Sequence, residues 1–114
     1  MAMLGRSQVS GTFKISATAP GTVVCRIPPQ AEEPAQVSLK NGHATAVLYA
    51  KWIPYNNTNP SVSTSDAGIR LEPYESYTWD KPPGAAMLLV LSTVDNSSAH
   101  VEGAWSMPDQ PQLL

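Results

Sequence analysis

The sequence predicts an all-β protein: a single antiparallel β-sandwich, jelly-roll or immunoglobulin-like, with about eight to nine short strands and extended termini. Three observations carry this. Apolar residues recur with a period of two rather than 3.6, as they do when side chains alternate across a sheet. The 11 prolines leave two long proline-free windows, 35–53 and 84–107, and several short ones. Turn residues separate the short apolar runs, and no run is both long and helix-periodic.

The elements follow in chain order. In 8–17, Val9, Gly11, Phe13, Ile15 and Ala17 alternate with Ser10, Thr12, Lys14 and Ser16. A second strand is expected at 22–27. In 35–41, Val37 and Leu39 alternate with Gln36, Ser38 and Lys40, and the following Asn41-Gly42 is a strong hairpin signal. The segment 46–54 is apolar on both faces except for Lys51. Further strands are expected at 61–64, 68–72 and 75–80, then at 86–94 and 98–106. Ala85 to Leu91 is continuously apolar, as a strand buried on both faces would be, either by its own sheet partners or by a neighbouring subunit. In 98–106, Ala99, Val101, Gly103 and Trp105 alternate with Ser98, His100, Glu102 and Ser106. The domain is therefore expected over 8–106, with an N-terminal arm at 1–7 and a C-terminal tail at 107–114.

Composition removes several function classes. The 114 residues are enough for one domain. Charged residues are 14% of the chain and the net charge is −2. Scattered Lys and Arg make no basic stripe for a nucleic-acid backbone. No apolar run approaches the ~20 residues of a membrane span. The N-terminus lacks the apolar stretch of a secretory leader, so synthesis in a reducing cytoplasm is expected. Neither nucleic acid nor membrane is an expected partner.

Catalytic and metal chemistry is equally sparse. Cys25 is the one cysteine, set in an apolar run and read as a buried structural thiol. His43 and His100 form no zinc-ligand spacing with it, and no phosphate loop or nucleophile elbow is present. Glu32-Glu33 and Glu72/Glu75 read as solvated turn acids rather than a facing catalytic pair. Asn56-Asn57-Thr58 and Asn96-Ser97-Ser98 match a glycosylation sequon but read as turns. The expectation is a protein with no catalytic residue, no metal and no cofactor, and not an enzyme.

Aromatic residues are the remaining candidates for contact, because Tyr and Trp are enriched at interfaces and stack on sugars. Tyr49 and Trp52 fall on opposite faces of one strand by parity, so one face of 46–54 is open to a partner. Tyr49, Trp52, Tyr55 and Tyr74, with the apolar pair Leu113 and Leu114 at the chain end, are the expected partner-contact residues.

One stretch, Gly68-Ile69-Arg70-Leu71-Glu72-Pro73-Tyr74-Glu75-Ser76, resembles the pattern Gly-hydrophobic-x-Leu-x-Pro-Gly-Glu-Ser. That pattern belongs to small β-sandwich structural proteins of tailed bacteriophages, capsid decoration and cement proteins among them. Met87 to Leu91 and His100 to Trp105 resemble their closing strands. In this motif Ile69 and Leu71 are expected in the core, and Pro73 presets a turn. Tyr74 stands where the pattern has Gly, which favours a type I turn over type II. The resemblance implies a virion structural protein, most directly a decoration protein that binds the outside of the assembled shell as a homotrimer. Its partner would be the major capsid protein or another virion protein, and its location the capsid surface. A head–tail connector, tail or fibre component is the alternative within virions. A glycan-binding module using Trp52, Tyr55 or Trp79 is the alternative outside them.

Overall fold

The computed structural model describes residues 5–28, 32–80 and 84–107. Within them the chain forms eight strands: β1 (Gly5–Ile15), β2 (Thr22–Arg26), β3 (Glu32–Asn41), β4 (Leu48–Pro54), β5 (Ile69–Leu71), β6 (Ser76–Asp80), β7 (Ala85–Ser92) and β8 (Ser97–Met107). No helix is present among the described residues. The strands build two four-stranded sheets, ordered β1-β8-β3-β6 and β2-β7-β4-β5.

The pairings explain this order. β4 pairs with β5, β3 with β6, β2 with β7 and β1 with β8, all antiparallel. These pairs are nested, so the chain is one long antiparallel ribbon doubled back on itself. The ribbon is then rolled, which brings β8 against β3 and β7 against β4. That is the jelly roll, and it decides between the two sandwich types the sequence allowed.

The inner faces enclose the main core, in which Ile15, Val37, Leu39, Leu48, Leu88, Val90, Ala99 and Val101 are fully buried. Strand alternation places Leu88 and Val90 there and turns Leu89 and Leu91 outward. Those outward residues are nonetheless buried, in a second cluster with Ile53 and Val62. Val62 lies on the excursion 55–68 between β4 and β5, so this excursion covers the outer face of the second sheet. The doubly apolar β7 thus has an intramolecular cause: it is interior to its sheet and roofed by its own chain. Gly21 (φ +102) makes room for the roof, since a Cβ there would lie 2.8 Å from both the Val62 side chain and the Val90 carbonyl oxygen.

Several expectations are corrected. Residues 61–64 are not a strand; they belong to the roof, where Ser63 and Asp66 form an isolated bridge. β1 begins at Gly5, inside the segment expected to be an arm, with Gly5 opposite Met107. β3 starts before Pro34, and its register against β8 shifts between Glu32 and Gln36, the irregularity that accommodates a proline in a strand. β2 carries a bulge between Val23 and Cys25, so Val24 and Cys25 both turn into the core.

Asn41-Gly42 is not a hairpin turn. β3 and β4 belong to different sheets, so the pair sits where the chain crosses from one to the other. Asn41 is fully buried there. Its Nδ2 donates to the carbonyls of Ala46 (2.7 Å) and Glu72 (3.1 Å), with Leu71 at 3.3 Å, and its Oδ1 accepts from His43 N at 3.0 Å. His43 Nδ1 in turn accepts from Thr45 N (3.1 Å) and Ala46 N (2.9 Å). The hairpin signal is local, whereas this corner is set by carbonyls some 30 residues away.

The turn after β5 also differs from expectation. Tyr74 has φ 63, which excludes type I and matches the left-handed third position of type II. Three bonds hold it: Glu75 N to Glu72 O (3.0 Å), Glu72 N to the Glu75 carboxylate (2.7 Å) and Asn41 N to Glu75 O (2.8 Å). Together they offset the ~1–2 kcal/mol that a non-glycine residue loses in this region.

Cys25 is 3% exposed, and burial pushes its thiol from 9.0 up to about 11. The folded value lies above the unfolded one, so the stabilising contribution is complete below pH 9. It declines as the pH rises through 11, by about 2–3 kcal/mol. Denaturation curves between pH 8 and 11 are expected to show this loss in the native sequence and to lack it in Cys25→Ala. At pH 8 a thiol reagent is expected to label Cys25 only after denaturant is added.

Candidate functional site

The expected contact residues do not form one surface. Tyr49 projects from the outer face of the second sheet and packs on the edge of the second cluster. The Arg70 guanidinium lies 6.0 Å from its ring centroid, near the limit for a cation–π contact. Trp52, on the other face of β4, meets Trp79 edge-on with ring centroids 6.1 Å apart, and Tyr77 tilts against Trp79 at 4.8 Å. These rings close the gap between the sheets where the β6 edge faces β4. Trp52 Nε1 and Trp105 Nε1 are buried and have no acceptor among the described residues. Tyr55 is 40% exposed, and its hydroxyl donates to Ile27 O at 2.7 Å, tying the start of the roof to the end of β2. Tyr74 is 61% exposed at the tip of the β5–β6 turn. Leu113 and Leu114 lie outside the described residues.

The acids and histidines hold the fold rather than gather around a substrate. Glu72 pairs with Arg70 at 2.9 Å while Glu75 closes the turn. His100 faces Glu102 at 3.1 Å on the exposed face of the first sheet, and His43 is committed to the β3–β4 corner. Among the described residues no group of His, Cys, Asp and Glu could hold a metal ion. Among the described residues no helix is long and apolar enough to cross a membrane.

One concavity with a chemical lining lies on the outer face of the second sheet. β5 pairs with β4 only from Leu48 to Ala50, and the roof returns beside it, anchored by Gly68 N to Ala50 O at 2.8 Å. The roof's tight turn Ser63–Asp66 is closed by paired backbone bonds of 3.3 and 3.2 Å. It is pinned to the sheet by Lys51 Nζ and Asp66 Oδ2 at 2.6 Å. Between turn and sheet remains a cleft of about 290 Å³, lined chiefly by Tyr49, Thr64, Ser65, Ile69 and Arg70. Sequence reasoning singled out Tyr49 alone of these as a contact residue. Thr64 read as the end of a strand at 61–64, Ser65 as part of the loop after it, and Arg70 as an ordinary position in the Gly68–Ser76 motif.

No protein-family model and no curated protein sequence matches the chain. Among solved structures it resembles a chain of the Bacillus endospore appendages, described as a novel family of disulfide-linked pili. The TM-score is 0.66 at 13% identity, over 96% of this chain and 92% of that one. At that identity the likeness is one of fold, and it extends over nearly the whole length of both chains.

Proposed function

We propose that this chain is a structural subunit, one that acts by packing in many copies into a protein assembly rather than by transforming a substrate. The observation that carries this reading is the near end-to-end overlap with the appendage chain, 96% and 92% of the two lengths. With so little of either chain left over, the shared fold is essentially the whole of both. The scattered, structurally committed acids and histidines support the same reading.

Two forms of such a subunit are consistent with these features. The Gly68–Ser76 sequence motif favours a phage capsid decoration protein, a closed trimer added to the outer surface of the shell. Its effect would come from mass action: a subunit that binds the assembled shell and not its parts stabilises the shell. The fold likeness favours an open filament, in which each copy presents one patch to a different patch on the next. The disulfide linkage does not transfer in either form. A linear disulfide-joined polymer needs at least two cysteines per subunit, and these 114 residues contain one, which is buried.

Sedimentation velocity and negative-stain microscopy of the purified protein, from micromolar to millimolar and with and without reductant, test this. A discrete small oligomer supports the decoration form and filaments support the appendage form; in both, reductant changes nothing. A monomer at every concentration would overturn self-association. An assembly that dissolves in reductant would overturn the non-covalent reading.

A further inference from the structure

We infer that Asn41-Gly42 is a modification site that opens only when the chain unfolds: the unfolded chain deamidates there, and the product cannot rebuild the β3–β4 corner. The pair is thus a one-way timer on the unfolded state. Asn-Gly is a labile pair for this reaction, because glycine puts no side chain around the nitrogen that attacks.

The fold needs these two residues for separate reasons. Asn41 is fully buried, and its amide serves the crossing to β4 and the end of β5 together. Gly42 lies where the chain runs close against β8. A Cβ there would sit 3.1 Å from Ser98 Oγ and 3.4 Å from Ser98 O. Two architectural requirements therefore put a labile pair where an intact amide is indispensable.

In deamidation the Gly42 backbone nitrogen gives its proton to a solvent base and bonds to Asn41 Cγ. The Cγ–Nδ2 bond breaks, Nδ2 takes up a proton and leaves as ammonia, and a cyclic imide remains. Water then opens the ring at either carbonyl, leaving an aspartate or an isoaspartate at position 41.

The folded corner obstructs each step. Gly42 N donates to Ser98 O at 3.0 Å, so removing its proton would break that bond and set a negative nitrogen against a carbonyl oxygen. The leaving nitrogen, Nδ2, is held by the carbonyls of Ala46, Glu72 and Leu71, and Oδ1 is held by His43 N. Asn41 N is fixed to Glu75 O at 2.8 Å, which anchors the main chain on the other side.

Neither product can restore this corner. An aspartate offers only acceptor oxygens where three carbonyls require a donor, and buries a charge in doing so. An isoaspartate adds a methylene to the main chain between Asn41 N and Gly42 N, which disrupts the spacing of their bonds to Glu75 O and Ser98 O. Loss of foldable chain then follows the fraction of time spent unfolded. Anything that binds only the folded chain lengthens its life accordingly. The timer belongs to the single chain and does not depend on the assembly proposed above.

The full chain, kept at about pH 8 in buffer and in denaturing urea and sampled over time by peptide mass mapping, tests this; each deamidation adds about 1 Da. Conversion at position 41 is expected to be at least ~100-fold faster in urea than in buffer. At intermediate urea its rate is expected to rise with the unfolded fraction. On dilution from urea, recovery of native tryptophan fluorescence is expected to fall in step with conversion, and the refolded fraction to be enriched in intact Asn41. Gly42→Ala, whose Cβ shields the attacking nitrogen, is expected to slow conversion in urea at least about tenfold. That rate is read on the unfolded chain, so it holds whether or not the variant folds well. Conversion in buffer as fast as in urea, or a rate that ignores the unfolding transition, would overturn the protection. Converted chains that refold as completely as unconverted ones would overturn the timer.

Discussion

Asn41→Ala is expected to destabilise the protein by about 4 kcal/mol, among the largest effects of any polar substitution in it. The side chain is fully buried and uses both ends of its amide. Nδ2 has two protons, and the short contacts to Ala46 O (2.7 Å) and Glu72 O (3.1 Å) take them, with Leu71 O at 3.3 Å sharing. Oδ1 accepts from His43 N. Truncation removes three hydrogen bonds, each worth about 1 kcal/mol net, and strands carbonyls that burial keeps from water. Those carbonyls belong to the β3–β4 corner and to the end of β5, so one deletion unfastens two connections.

Asn41→Asp keeps the shape and the acceptor but turns an oxygen toward the same carbonyl oxygens. At neutral pH it is expected to cost at least as much as the alanine. Urea denaturation of the three proteins measures both effects. A loss below about 1 kcal/mol for the alanine variant would mean that the corner re-satisfies its carbonyls without Asn41.

The same residue shows what the sequence could disclose and what it could not. Alternation is a short-range property, so β1, β3 and β8 are legible from Phe13 and Ile15, Val37 and Leu39, Val101 and Trp105. Each pair faces inward as its parity requires. Asn41-Gly42 misleads because a hairpin and a sheet-crossing corner begin alike. What separates them is Leu71 and Glu72, distant in sequence and brought near only by the nested pairing. Tyr74 misleads in a similar way: its intrinsic preference is against positive φ, and the bonds that override it come from Glu75 and from the Asn41 backbone. The cleft was the least legible feature. Tyr49 stood out as an aromatic, but Thr64 and Ser65 reach it only because 55–68 is a roof rather than a strand and its connections.

That roof supports the second large prediction. Leu88→Ala and Leu89→Ala change adjacent residues on opposite faces of β7, exposed 0% and 2%. If the outer face were covered only by a neighbouring subunit, Leu89→Ala would cost little in the isolated chain, and its effect would grow with protein concentration. The roof leads to a different result. Leu89 packs with Ile53, Val62 and Leu91 inside the same chain, so its truncation is expected to destabilise a dilute monomer by about 2–3 kcal/mol, unchanged across concentration.

Leu88→Ala is expected to cost more, about 4 kcal/mol, because its cavity is walled by two hydrogen-bonded sheets that cannot collapse into it. The roof above Leu89 is a connection held by fewer bonds and can settle part of the way into the space. Thermal or urea denaturation over a hundredfold range of protein concentration distinguishes the two accounts. A Leu89→Ala effect that vanishes on dilution would return the outer face of the second sheet to the interface surfaces. A constant effect leaves that face to the roof, and with it the Tyr49 cleft that the roof creates.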